Sequence, residues 1–121
     1  MKNVIWSILK PARTKYFTHI IQWMIGGTRG GLNRARLIDA LNESPQNAHQ
    51  LSQVLNLDYS TIRHHLDALE KNGLVTPLGD AYGKMYFLSD NLLDNYGFFE
   101  EIWEQIGNKM KKRDGEKRVD E

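Results

Sequence analysis

With 121 residues, 40% hydrophobic and 26% charged, the chain has the make-up of one folded domain with an appended helix or two, and no room for a second independent domain. It contains no cysteine, which excludes disulfides, thiolate metal sites and cysteine nucleophiles, and a net charge of +1 argues against gripping a polyanion by bulk charge alone. The charge is uneven: Lys2, Lys10, Arg13 and Lys15 meet no acid in residues 1–25, while residues 86–121 carry more acids than bases.

The longest apolar stretch, Ile20 to Ile25, contains Gln22 and stops at Gly26-Gly27, far short of the roughly 20 residues that span a bilayer. No apolar segment with a small-residue cleavage site follows Met1, so a cytoplasmic, unprocessed product is expected. In Tyr16 to Ile25 the residues Phe17, Ile20, Ile21 and Met24 share one face at helical spacing. Gly26, Gly27, Gly30 and Gly31 then predict a loop. Leu32 to Asn42 reads as a helix with Leu37, Ile38 and Leu41 inward, stopped by Glu43-Ser44-Pro45.

Asn47 is a good N-cap for a two-turn helix over Ala48 to Leu55, with Ala48, Leu51, Val54 and Leu55 on one side. Asp58 caps the next helix, in which Ile62, Leu66 and Leu69 recur at i, i+4 and i+7 up to the stop at Asn72-Gly73. The period then shortens: Val75 to Leu78 and Met85 to Leu88 predict a β-hairpin with a tip at Gly79 to Gly83. Beyond Ser89, the residues Leu92, Tyr96, Phe99, Trp103, Ile106 and Met110 alternate four and three apart as an a/d seam, and the charged remainder from Lys111 predicts a frayed tail.

A short helix, a tight turn, a second helix with a polar face and a hairpin form a unit that can lay its second helix in the major groove of DNA. The run SPQNAHQLSQVLNLDYSTIRHHLDALEKNGLV, Ser44 to Val75, resembles the helix-turn-helix of ArsR-like winged-helix regulators. The elements that carry the resemblance are Leu51-Ser52, then Ser60-Thr61-Ile62-Arg63-His64-His65-Leu66, then Leu69-Glu70-Lys71-Asn72-Gly73-Leu74-Val75. It implies a mainly α protein with a small β-hairpin: a winged helix-turn-helix domain over 32–89, preceded by an amphipathic segment and glycine loop (1–31) and followed by a dimerisation helix (90–112) and a charged tail (113–121). It also implies that N- and C-terminal helices pair across a two-fold axis, giving a homodimer on double-stranded DNA.

With Ile62, Leu66 and Leu69 inward, the outer face of the second helix offers Tyr59, Ser60, Thr61, Arg63 and His64 to base edges, Arg63 being the strongest candidate because its planar fork matches guanine. Arg29, Arg34, Arg36, Tyr82 and Lys84 are candidates for the backbone and wing contacts. His65 is expected to be a packed structural histidine. Adjacent helical residues point about 100° apart, so His64-His65 is not read as a metal site, and no cofactor is expected. The apolar stripe around Trp103 is too large to leave in water, so a partner chain is expected to cover it, the alternative being that the helix folds back onto its own domain. With the pairing of terminal helices that the resemblance implies, Phe17, Ile20, Ile21, Met24, Leu92, Tyr96, Phe99, Trp103, Ile106 and Met110 are assigned to the dimer interface. A winged helix used for protein interaction is one rival reading; a membrane-surface N-terminus with Trp6 and Trp23 is a second and is not favoured. No phosphate loop or evident nucleophile–base pair suggests an enzyme, and the sequence defines no effector pocket.

Overall fold

The computed structural model describes residues 11–119 other than Tyr82, with side chains described for 15–109. Tyr82, the Met110 side chain and the side chains of Lys2, Trp6, Lys10 and Arg13 therefore lie outside the described residues. The first helix, α1, spans Pro11–Ile21 and runs on into a π-helical turn over Gln22–Gly26. Its inner face is Phe17, Ile21 and Met24, all buried in the chain's own core together with Ile25. The outer face carries Tyr16, 71% exposed, and Trp23, 59% exposed, with Ile20 half-buried between them. Met24 and Ile25 are both buried within the π turn, whose i→i+5 bonding puts more residues in each turn than an α-helix has.

Helix α2 spans Gly31–Glu43. It starts at a glycine for a steric reason: a Cβ on Gly31 would sit 1.8 Å from the Ile25 carbonyl oxygen. Its inward residues Leu37, Ile38 and Leu41 meet Leu51, Ile62, Leu66 and Leu69 in one core. Helix α3, Ala48–Leu55, opens with a complete capping box, in which the Gln50 amide donates to Asn47 Oδ1 at 2.8 Å and the Asn47 amide to Gln50 Oε1 at 2.9 Å. It ends at Asn56, whose φ of 54° is left-handed. Helix α4, Tyr59–Lys71, follows after two residues. Asp58 stands at its N-cap, yet its side chain makes no capping bond, contrary to expectation.

The sheet has three strands rather than the two expected from the sequence. Strands β2 (Val75–Leu78) and β3 (Met85–Leu88) form the hairpin, and β1 (Gln46–Asn47) adds to its far edge, antiparallel, in the order β1-β3-β2. Two residues after Pro45 are too few to show an alternating pattern. The terminal seam is also corrected: it is broken at Asn95 between α5 (Asp90–Asp94) and α6 (Tyr96–Val119). Ser89 caps α5, accepting from the Leu92 amide at 3.1 Å. Leu92 and Phe99 are fully buried in the chain's own core, joined by Ile102, while Tyr96, Trp103 and Ile106 stay partly exposed. The stretch expected to fray continues as helix to Val119.

Candidate nucleic-acid interface

Helix α4 is amphipathic in the strict sense that its two faces do different jobs. Ile62, His65, Leu66 and Leu69 are buried, while Tyr59, Ser60, His64 and Asp67 are exposed and Thr61 and Arg63 are half-buried. The burial follows the 3.6-residue period, so the polar residues between the apolar ones form a continuous outer strip.

The wing closes one end of the strip. Tyr86, only 1% exposed, stands on the middle strand, opposite Pro77 in the hairpin and Gln46 on β1, so its backbone is flanked by a strand on each side. Its hydroxyl accepts from Arg63 Nη1 at 2.7 Å, and Arg63 Nη2 lies 3.6 Å from Asp67 Oδ1. Burial by itself would lower the guanidinium pKa, but Tyr86, Asp67 and Tyr59 outweigh it and the net shift is upward. Arg63 is a fixed cation whose planar fork is oriented by the wing. Tyr86 was not singled out by the sequence pattern; only the tertiary contact reveals its role. A small cleft beside this pair is lined by His49, Tyr59, Arg63, Lys84 and Tyr86, bringing His49 and Lys84 to the same place.

The other candidate cations divide. Arg29 is exposed beside the glycine loop. Arg34, expected to meet a phosphate, is instead 8% exposed and internal. Its Nε donates to the Met24 carbonyl at 2.9 Å, Nη2 donates to Thr28 Oγ1, and Nη1 lies 3.4 Å from His65 Nδ1. The residue was misread because an arginine one turn into a helix after glycines looks like a surface residue; the close approach of the π turn encloses it. Arg36 is likewise occupied: Nη2 donates to the Leu55 carbonyl at 2.8 Å, satisfying the end of α3, and Nη1 to Asn33 Oδ1 at 3.3 Å. His65 is the packed histidine expected, 6% exposed, its pKa lowered by burial first and then by the charges of Arg34 and His64.

Three core helices, a recognition-type second helix and an antiparallel wing are the parts of a winged helix-turn-helix. The model of the bacterial regulatory protein arsR family matches residues 33–76, the stretch from α2 to the first residues of β2. No curated protein matches the sequence. Among solved structures the chain is similar to HlyU from Vibrio cholerae, at 20% identity and a TM-score of 0.56 over 73% of this chain and 90% of that one. It is similar to the homodimeric winged helix-turn-helix DNA-binding domain of Mb0332 from Mycobacterium bovis, at 14% identity and 0.57 over 92% and 93%. A third is the transcriptional regulator BldR from Sulfolobus solfataricus, at 16% and 0.58 over 95% and 88%. At these identities the likeness establishes the fold.

Proposed function

We propose that this protein is a homodimeric transcriptional regulator that binds double-stranded DNA in a sequence-dependent way, with α4 in the major groove and the hairpin over 75–88 as the wing. The observation that carries the reading is the polar outer strip of α4 with Arg63 held at its centre by Tyr86. A guanidinium has five donors in a fixed fork, and the two contacts within the chain leave donors free for the O6 and N7 of a guanine. Such a pair discriminates against a wrong base by roughly 1–3 kcal/mol. Tyr59, Ser60, Thr61 and His64 flank it on the same strip, and Lys84 and Arg29 supply phosphate contacts that set position rather than sequence. Tyr82 belongs to the wing tip in this scheme.

Dimerisation is supported by apolar surface that the chain leaves uncovered. Tyr16, Ile20 and Trp23 lie four and three residues apart on the outer face of α1, and Trp103 and Ile106 remain partly exposed on α6. A stripe of this kind is normally covered, and a second copy using the same helices gives a closed two-fold interface. Met110 would extend it. Two α4 helices then meet half-sites about one DNA turn apart. No helix among the described residues is long and apolar enough to cross a membrane, and the working compartment in this scheme is the cytoplasm.

The test is selection of duplexes from a random library at about 0.1 M salt, where nonspecific phosphate binding is partly suppressed, repeated with Arg63→Ala. A two-fold symmetric motif that relaxes at one position per half-site in the variant is the expected result. Absence of any enriched motif would overturn DNA reading and leave a protein-interaction module.

A further inference from the structure

A second concavity lies at the far end of α3 from the wing cleft and contains none of the residues proposed above to read bases. It encloses about 750 Å³ between α2, the end of α3 and α6, with Leu32, Ala40, Val54 and Leu55 as apolar surface and Trp103 contributed by the terminal helix. Leu32 is 36% exposed and Val54 64%, so apolar side chains stand in water here. The volume falls in the ordinary range for small-molecule sites, about 300–1,000 Å³.

Charge selects among occupants. Asp39 and Glu43, one turn apart on α2, both line the groove and are both exposed. Among the described lining residues the one cation, Arg36, is tethered by its bonds to Leu55 and Asn33. Nearby, the Tyr96 hydroxyl is pushed up to about 12, chiefly by burial and then by Asp39, Glu100 and Glu43, so the charge of the same two groove carboxylates reaches the start of α6. Among the described residues no three His, Asp or Glu side chains come together as a metal set. Carboxylates beside an indole and an aliphatic wall suit a flat or bulky organic cation, attracted by the acids, by the ring face and by the apolar surface at once.

We propose that the groove formed by Asp39, Glu43, Val54 and Trp103 is a binding site for an amphipathic aromatic organic cation. Its occupant touches α2 and α3 of the helix-turn-helix on one side and α6 on the other. Trp103 also belongs to the stripe proposed above for the dimer contact, so the groove borders that contact; cation binding is measured without DNA, so its failure is distinguishable from failure of the DNA reading.

The experiment is isothermal titration of the full-length protein with tetraphenylphosphonium, with tetraphenylborate, its anionic counterpart of nearly equal size, as control. Saturable binding of the cation, none of the anion, and about tenfold weaker binding in Asp39→Asn/Glu43→Gln is the expected pattern. Both substituted side chains are exposed, and circular dichroism checks that the variant keeps its helix content; the single variant Asp39→Asn gives a smaller loss in the same direction. Val54→Arg, a cation placed in the groove, abolishes binding. No saturable binding, equal binding of the two ions, or unchanged affinity in the double variant would each overturn the proposal.

Discussion

Replacing Arg34 by methionine keeps the length of the side chain and removes the one charge that joins the π turn to α4. In the native chain the guanidinium donates to the Met24 carbonyl and to Thr28 Oγ1 and approaches His65 Nδ1. Hydrogen bonds from a charged donor contribute about 1.5–3 kcal/mol each, so the two good ones amount to about 3–6 kcal/mol. Against this, a cation with no carboxylate partner no longer has to be desolvated, which returns a few kcal/mol. Thr28 Oγ1 still donates to the Met24 carbonyl at 3.0 Å, so that oxygen is not orphaned. A net loss of about 2 kcal/mol is expected at pH 7.5, read by urea denaturation at a fixed protein concentration because a dimer's stability depends on it. The variant also changes the pH dependence. His65 has a folded pKa below its ordinary value, so on acidification the unfolded chain takes up the proton first. Its contribution is complete above about pH 6.5 and is lost as pH falls toward the folded value, by no more than about 1.4 kcal/mol per pH unit. Burial is the larger cause of the depression and survives the substitution, so in Arg34→Met this acid slope is reduced but not abolished. A variant within about 0.5 kcal/mol of the parent at pH 7.5 would refute the assignment of Arg34 as an internal brace.

Three further outcomes follow from the same geometry. Gly31→Ala places a Cβ 1.8 Å from a backbone oxygen, so the π turn has to separate from α2, and a loss of about 3 kcal/mol or more is expected in the same denaturation assay. Asn56→Gly relieves the left-handed strain at the end of α3, and a stabilisation of a few tenths of a kcal/mol, equivalent to one or two degrees in Tm, is expected by calorimetry. Tyr86→Phe deletes the oxygen that orients Arg63, and the preference at the Arg63-dependent base should weaken about three- to tenfold while the salt dependence of DNA binding stays unchanged, since no phosphate contact is lost. A change in salt slope with intact base preference would assign Arg63 to the backbone instead.

Much of the frame was legible because it rests on local rules. The stops at Pro45 and Gly73, the cap at Asn47, and the 3.6-residue recurrence of Ile62, Leu66 and Leu69 are written within a few residues of where they act. They set the order of helices and the hairpin, and the polar positions of α4 follow from the same period. Two-residue β1 carried no readable period, and the seam over Leu92 to Met110 looked continuous because the break at Asn95 preserves the four-three spacing across two helices.

Which face of a helix meets what was decided only by the assembled chain. On α1, Phe17, Ile21 and Met24 form one apolar stripe and Tyr16, Ile20 and Trp23 another, and a helix with aromatic residues on two sides does not announce which side is inward. The π turn and the contact of Gly31 with Ile25 made that choice, and the same contact drew Arg34 inside. Arg63 and Tyr86, 23 residues apart, meet because the wing folds back over α4. Periodicity fixes which residues share a side of an element, since that depends on the backbone alone; the partners of each side depend on long-range packing, which no local spacing encodes.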